Sequence, residues 1–220
     1  MKIAILASGS GTNAQAIFER INSGSLTASA TVLISDNPQA KALERASRAG
    51  VKTAVIERKN YPDRAAFDSA VTEALLRSGC DLVVLAGYMR IVGEPFFAAF
   101  RNRMINLHPA LLPAFPGLNG IGDAFDYGVK LTGASVHFVV PEVDAGPLII
   151  QGGLPVGASE AELASRIHQL EHRILPQAIQ WFAEGRLAVK GRKVELSQAA
   201  KALAEPEPDC LIWPPLEQGF

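Results

Sequence analysis

The chain has 220 residues, of which 48% are apolar and 20% charged, and its formal net charge is −1. That length supports a sizeable core in one α/β domain or two small ones, and the balanced charge gives no support for a nucleic-acid surface, which needs a basic excess. The two cysteines, Cys80 and Cys210, form no C-x-x-C or Cys/His zinc pattern and point to a reducing cytosol; there is no basic start with an apolar block as in a signal peptide, and no apolar run near the ~18 residues of a membrane span.

The first hundred residues alternate short apolar runs with amphipathic stretches. The pattern predicts strands over 2–6, 30–34, 53–56, 81–85 and 104–107, and helices over 13–21, 39–49, 62–78 and 94–100. In the third helix Phe67, Ala70, Val71, Ala74 and Leu75 share one face, with Pro62 suited to the first turn and Gly79 to the stop. Such alternation implies right-handed crossovers and a parallel sheet. The later part changes style. Pro109 ends the strand before it, and 109–116 is a Pro-rich loop. Strands are expected over 135–140 and 147–151. Ser159 and Glu162 form a capping-box signature, followed by Leu163, Ile167, Leu170 and Ile174 at helical spacing, with Pro176 expected to kink or restart the helix. Residues 186–196 resemble a hairpin turning at Lys190-Gly191. The proline-rich tail from about 205 is expected to be extended and loosely packed. There is no internal repeat and no linker dividing two domains.

Two constellations carry chemistry. Gly9-Ser10-Gly11-Thr12-Asn13-Ala14 follows a strand and opens a helix, fitting G-x-G-x-x-G/A. Glycines there permit a tight turn, and helix-start amides attract an anion. NAD, another phosphate ligand and a purely structural turn all satisfy this pattern. Asp36 stands where a dinucleotide fold places its ribose ligand, but Asp-Asn at a strand end is also a turn starter. No Gly-Lys-Ser/Thr follows, so this is not a Walker loop.

The second constellation is Asn106 and His108, which alternate onto one side of a strand that Pro109 stops. At the carboxyl edge of a parallel sheet such residues face a ligand crevice. Histidine transfers protons near neutral pH, and an asparagine amide can donate to a developing oxyanion. The plainer alternative is a capped strand end with a satisfied histidine. Asp144, before Gly146-Pro147, would stabilise a nearby imidazolium and orient it, or serve only an Asx-turn. His137 shares a face with Ser135 and reads as a packed histidine.

These motifs, with Ala86-Gly87-Tyr88-Met89-Arg90-Ile91, Asn106-Leu107-His108-Pro109, Leu112-Pro113-Ala114-Phe115-Pro116-Gly117 and Asp144-Ala145-Gly146-Pro147, resemble the folate-dependent phosphoribosylglycinamide formyltransferases from residue 1 to about 187. The resemblance implies a Rossmann-like α/β fold, with a mostly parallel central sheet and helices on both faces. It implies one formyltransferase domain over 1–220, the N-terminal half binding the phosphate substrate and the C-terminal half the folate. It implies formyl transfer from 10-formyltetrahydrofolate to the amine of glycinamide ribonucleotide, with no metal. Asn106 would hold the oxyanion, His108 move the proton, and Asp144 orient His108. Gly11, Thr12 and Asn13 would hold the substrate phosphate, and Glu171 would face the substrate amine. Arg64, Met89, Arg90, Ile91, Val92, Asn106, Val140, Pro141, Glu142, Val143 and Asp144 would contact the folate. The implied partners are these small molecules, with neither nucleic acid nor membrane, and the implied assembly is a monomer or homodimer in the cytoplasm.

Two departures stand out. Asn119-Gly120-Ile121-Gly122 replaces a segment in which the family usually has histidine, which loosens that segment or delays its helix. His168 stands where the family often has Gln or Lys near the substrate. The rivals are formyltetrahydrofolate deformylase, which usually has an extra N-terminal domain, and methionyl-tRNA formyltransferase, which has a larger C-terminal RNA-binding domain. A remoter rival is an NAD-dependent oxidoreductase, and a non-catalytic ligand-binding protein is the alternative outside enzymes.

Overall fold

The computed structural model describes residues 1–198, 201–206 and 208–220. The chain divides into two compact units, Met1–Asn106 and Leu107–Phe220.

In the first unit, strands β1 (Lys2–Leu6), β2 (Ser29–Ser35), β3 (Thr53–Val55), β4 (Leu82–Leu85) and β5 (Met104–His108) pair in the order β3-β2-β1-β4-β5, and every pair is parallel. Helices α1 (Thr12–Asn22), α2 (Lys41–Arg48), α3 (Arg64–Ser78) and α4 (Glu94–Phe100) supply the crossovers, with a short 3-10 turn at Arg58–Asn60. The α/β alternation and the parallel sheet are as the sequence predicts. Continuous apolar runs explain the central position of β1 and β4: Ile3, Ala4, Ile5 and Leu6, like Leu82, Val83 and Val84, are fully buried, as strands covered on both faces must be. Asp63 caps α3 by accepting the Ala66 N–H at 2.8 Å, and Gly79 closes it in the left-handed conformation. Pro62 therefore lies just outside the helix, one residue before its cap.

The chain enters the second unit within β5. There α5 (Gly120–Tyr127) is followed by β6 (Leu131–Phe138), β7 (Leu148–Pro155), α6 (Glu160–Ala183), β8 (Leu187–Lys190), β9 (Lys193–Leu196) and β10 (Leu211–Trp213). β6 and β7 are antiparallel, β7 meets β9 in parallel, β8 and β9 form the expected hairpin, and β10 pairs antiparallel with β7. Ser159 caps α6 by accepting the Glu162 N–H, as the capping box requires.

Helix α6 runs through Pro176 without a break. A mid-helix proline costs about 3 kcal/mol. Ile174, Leu175, Ile179 and Trp181 are buried around it, each contributing roughly 1.5–3 kcal/mol, so packing outweighs the lost hydrogen bond. The tail is also more closely packed than its prolines imply. Leu216, Glu217 and Phe220 are buried. Glu217 accepts from the Trp181 indole at 3.1 Å and pairs with Arg186 at 2.5 Å, while Lys201 pairs with Glu184. No helix among the described residues is long and apolar enough to cross a membrane.

Candidate active site

The glycine loop leaves the buried end of β1 and turns into α1. Gly11 adopts φ 71°, and a Cβ there would lie 2.5 Å from Ala42 Cα, so only glycine lets the loop pass α2. No side chain caps α1, so its N-terminal amides form an electropositive end suited to a phosphate. The loop is braced on three sides. Gly9 carbonyl accepts the Ala42 N–H at 3.1 Å, Ser10 carbonyl accepts from Arg45 at 2.9 Å, and Ser8 carbonyl accepts from the Asn37 amide at 3.3 Å.

Ser8 also ties this loop to the turn after β4. Its N–H donates to Gly87 carbonyl, and its hydroxyl accepts the Met89 N–H, both at 2.9 Å. The start of the glycine loop is thereby fixed to the turn that carries Met89. Met89 and Ile91 are exposed while Val92 is buried, leaving an apolar ledge. Arg64 donates to Ile91 carbonyl at 3.0 Å and lies 3.5 Å from Asp68. Burial pushes the Asp68 carboxyl up from its usual value, with Arg64 opposing it. Asp36 departs from the expected turn role. It is buried and pairs with Arg90 at 2.6 Å, while neighbouring Asn37 builds the turn, its side chain accepting the Gln39 N–H at 2.9 Å.

Strand β5 presents Asn106 and His108 two residues apart. Asn106 is in register with Leu85, the last residue of β4. His108 is buried, and its Nε2 lies 2.7 Å from Phe115 carbonyl. A carbonyl only accepts, so Nε2 carries a proton. His108 Nδ1 lies 3.4 Å from Asp144 Oδ2.

Asp144 closes the loop of Val140, Pro141, Glu142 and Val143, in the left-handed conformation at φ 52°. Gly146 follows it past β6 so closely that a Cβ would lie 1.6 Å from Phe138 carbonyl. Asp144 Oδ2 accepts the Gly117 N–H at 2.9 Å, and its Oδ1 lies 3.6 Å from His137 Nε2. His137 Nδ1 meets Phe138 carbonyl at 2.9 Å, so that nitrogen holds the proton. Burial opposes ionisation of Asp144, but His137, the Gly117 N–H and His108 together outweigh it and hold the carboxyl below its usual range. The result is a charged carboxylate between two imidazoles in a buried setting, suited to orienting a proton-transfer histidine.

Glu171 lies buried on α6 with His168 Nδ1 3.0 Å from its Oε2. This contact raises the His168 pKa above its ordinary value. Helix α5 begins at Gly120, inside the glycine-rich segment, with that residue against the His108 ring. Three contributors were missed by the sequence reading: His137 as a neighbour of Asp144, the Phe115 carbonyl and the Gly117 N–H. The alternation of Ser135 and His137 on one strand face signals the first. Backbone groups leave no trace in residue identity. Among the described residues no group of three or more His, Cys, Asp and Glu is placed to hold a metal ion.

The glycine loop of the first unit and the His108–Asp144 pair of the second are each features of an α/β enzyme scaffold, and comparison with known proteins gives the family. Residues 1–179 match the formyl transferase family, and the chain belongs to that family. It is 41% identical over 180 residues to phosphoribosylglycinamide formyltransferase of Bacillus subtilis, covering 81% of this chain and 92% of that protein. It is 42% identical over 195 residues to the trifunctional purine biosynthetic protein adenosine-3 of Bos taurus, but spans only 19% of that protein's length. Among solved structures, glycinamide ribonucleotide transformylase 1 from Symbiobacterium toebii matches with a TM-score of 0.89 and 48% identity, over 90% of this chain and 94% of that one.

Proposed function

We propose that the chain transfers the formyl group of 10-formyltetrahydrofolate to the amine of glycinamide ribonucleotide, a step of purine biosynthesis, and that it acts in the cytoplasm. The relatives it covers nearly end to end carry this activity in their names. The observation that carries the reading is the buried Asp144 carboxylate set against His108 Nδ1, with His108 Nε2 held by Phe115 carbonyl.

The substrate amine attacks the formyl carbon, and the formyl oxygen becomes an oxyanion. The Asn106 amide donates to that oxyanion, a stabilisation worth several kcal/mol when preorganised. The amine sheds a proton and the departing folate nitrogen gains one. His108 carries this transfer through Nε2: its proton, shared with Phe115 carbonyl in this structure, goes to the departing folate nitrogen and is replaced by the one the amine sheds, while Asp144 holds the ring and balances the imidazolium charge. Gly11, Thr12 and Asn13 hold the ribonucleotide phosphate, and Glu171 faces the amine side. Arg64, Met89, Arg90, Ile91 and Val92, with Val140, Pro141, Glu142, Val143 and Asp144, receive the folate. Formyl transfer assayed with purified protein and both substrates tests the reading. Loss of the formyl group to water at the same rate with or without the ribonucleotide would assign a hydrolase instead.

A further inference from the structure

Ser135 and Gln151 face each other across β6 and β7, and Trp213 of β10 lies opposite Gln151 on the other side. Directly opposed residues share a sheet face, so these three form one row. The row ends on the loop that follows His108. Ser135 is fully buried. Its hydroxyl donates to Ala110 carbonyl at 2.7 Å and accepts the Leu112 N–H at 3.1 Å. The Gln151 amide then donates both to Ser135 Oγ at 2.9 Å and to Leu112 carbonyl at 3.0 Å. A hydroxyl offers one proton and two lone pairs. All three are used: Ala110 carbonyl takes the single proton, so the Leu112 N–H and the Gln151 amide are both donors to the hydroxyl.

This loop supplies the groups that frame the histidine. Three residues beyond Leu112 comes Phe115, whose carbonyl meets His108 Nε2, and two further on comes Gly117, whose N–H meets Asp144 Oδ2. On the reading of His108 and Asp144 proposed above, we infer that Gln151 is a positioning residue. Through Ser135 and Leu112 it anchors the 110–117 loop, so that Phe115 and Gly117 hold His108 and Asp144 in register. An active-site displacement of ~1 Å can cost about 10²-fold in rate, so this anchor acts on turnover rather than on substrate affinity.

Gln151→Glu keeps the size but offers acceptors where Leu112 carbonyl and Ser135 need a donor. Gln151→Met keeps the size and offers nothing, and serves if the glutamate variant fails to fold. Thermal unfolding checks the fold of each. The expected result is a kcat lowered about 10–100-fold with little change in KM for either substrate, a shifted pH profile of kcat, and displaced 15N signals of the His108 ring. Adding Ser135→Ala to Gln151→Met should cost less than the sum of the two single losses, because they break one relay. Folded variants with unchanged kcat, pH profile and His108 signals would overturn the inference. If the wild-type protein transfers no formyl group, the functional reading fails, and the His108 signals alone still decide whether Gln151 positions the ring.

Discussion

Replacing Asp144 by Asn removes the charge beside His108 while leaving most of the local framework intact. The backbone at φ 52° is one that asparagine tolerates well. The asparagine carbonyl can still accept the Gly117 N–H, now made at 2.9 Å. What is lost is the carboxylate 3.4 Å from His108 Nδ1. General acid–base contributions run about 10²–10⁴-fold, so kcat for formyl transfer should fall by about 10²-fold or more, with KM for both substrates nearly unchanged. Stability should respond to acid with a definite sign. The folded Asp144 carboxyl titrates below its usual 3.8, so its stabilising contribution is present above that value and is lost as pH falls through the lowered one. The variant should lack that part of the acid-side loss, read by urea unfolding across the acid range. A folded Asp144→Asn protein with turnover close to wild type would refute the reasoning.

Asn106→Ala should lower kcat by about 10²–10³-fold, the usual loss on removing one oxyanion donor, as steady-state kinetics would record; an effect confined to KM would contradict the assigned role. Gly11→Ala forces a Cβ to within 2.5 Å of Ala42 Cα at φ 71°, so urea unfolding should report a loss exceeding about 1 kcal/mol, and KM for the ribonucleotide should rise. Glu184 is buried enough to resist ionisation, yet Lys201, Arg186 and Gln180 pull its carboxyl down to about 2 from 4.5. Its stabilisation is therefore present above 4.5 and fades as pH falls toward about 2. Lys201→Ala should weaken that dependence, so unfolding curves at neutral and acid pH should differ less than in wild type.

Local pattern carried the first unit. Buried apolar runs mark β1 and β4, the Asp63 cap and Gly79 bound α3, and each signal sits within a few residues of the feature it specifies. That Asn106 and His108 lie on one strand was legible from its alternation, and the structure sets Asp144 beside His108 at 3.4 Å. Tertiary decisions were not legible. Asp36 looks like a turn starter until Arg90, 54 residues away, is brought onto it. Pro176 looks like a break until the apolar neighbours packed around it are counted. Strand β10 is only three residues long and follows a proline-rich stretch, and its pairing with β7 depends on a partner some 60 residues earlier. The Ser135–Gln151 relay needs the β6–β7 register, which no local pattern states.

The central claim is that the buried His108–Asp144 pair serves transfer to an amine. The most direct measurement follows the disappearance of 10-formyltetrahydrofolate with and without glycinamide ribonucleotide. Consumption that requires the ribonucleotide and yields one formylated product for each tetrahydrofolate released is the predicted result. Consumption at an equal rate without the ribonucleotide, releasing formate, would contradict it.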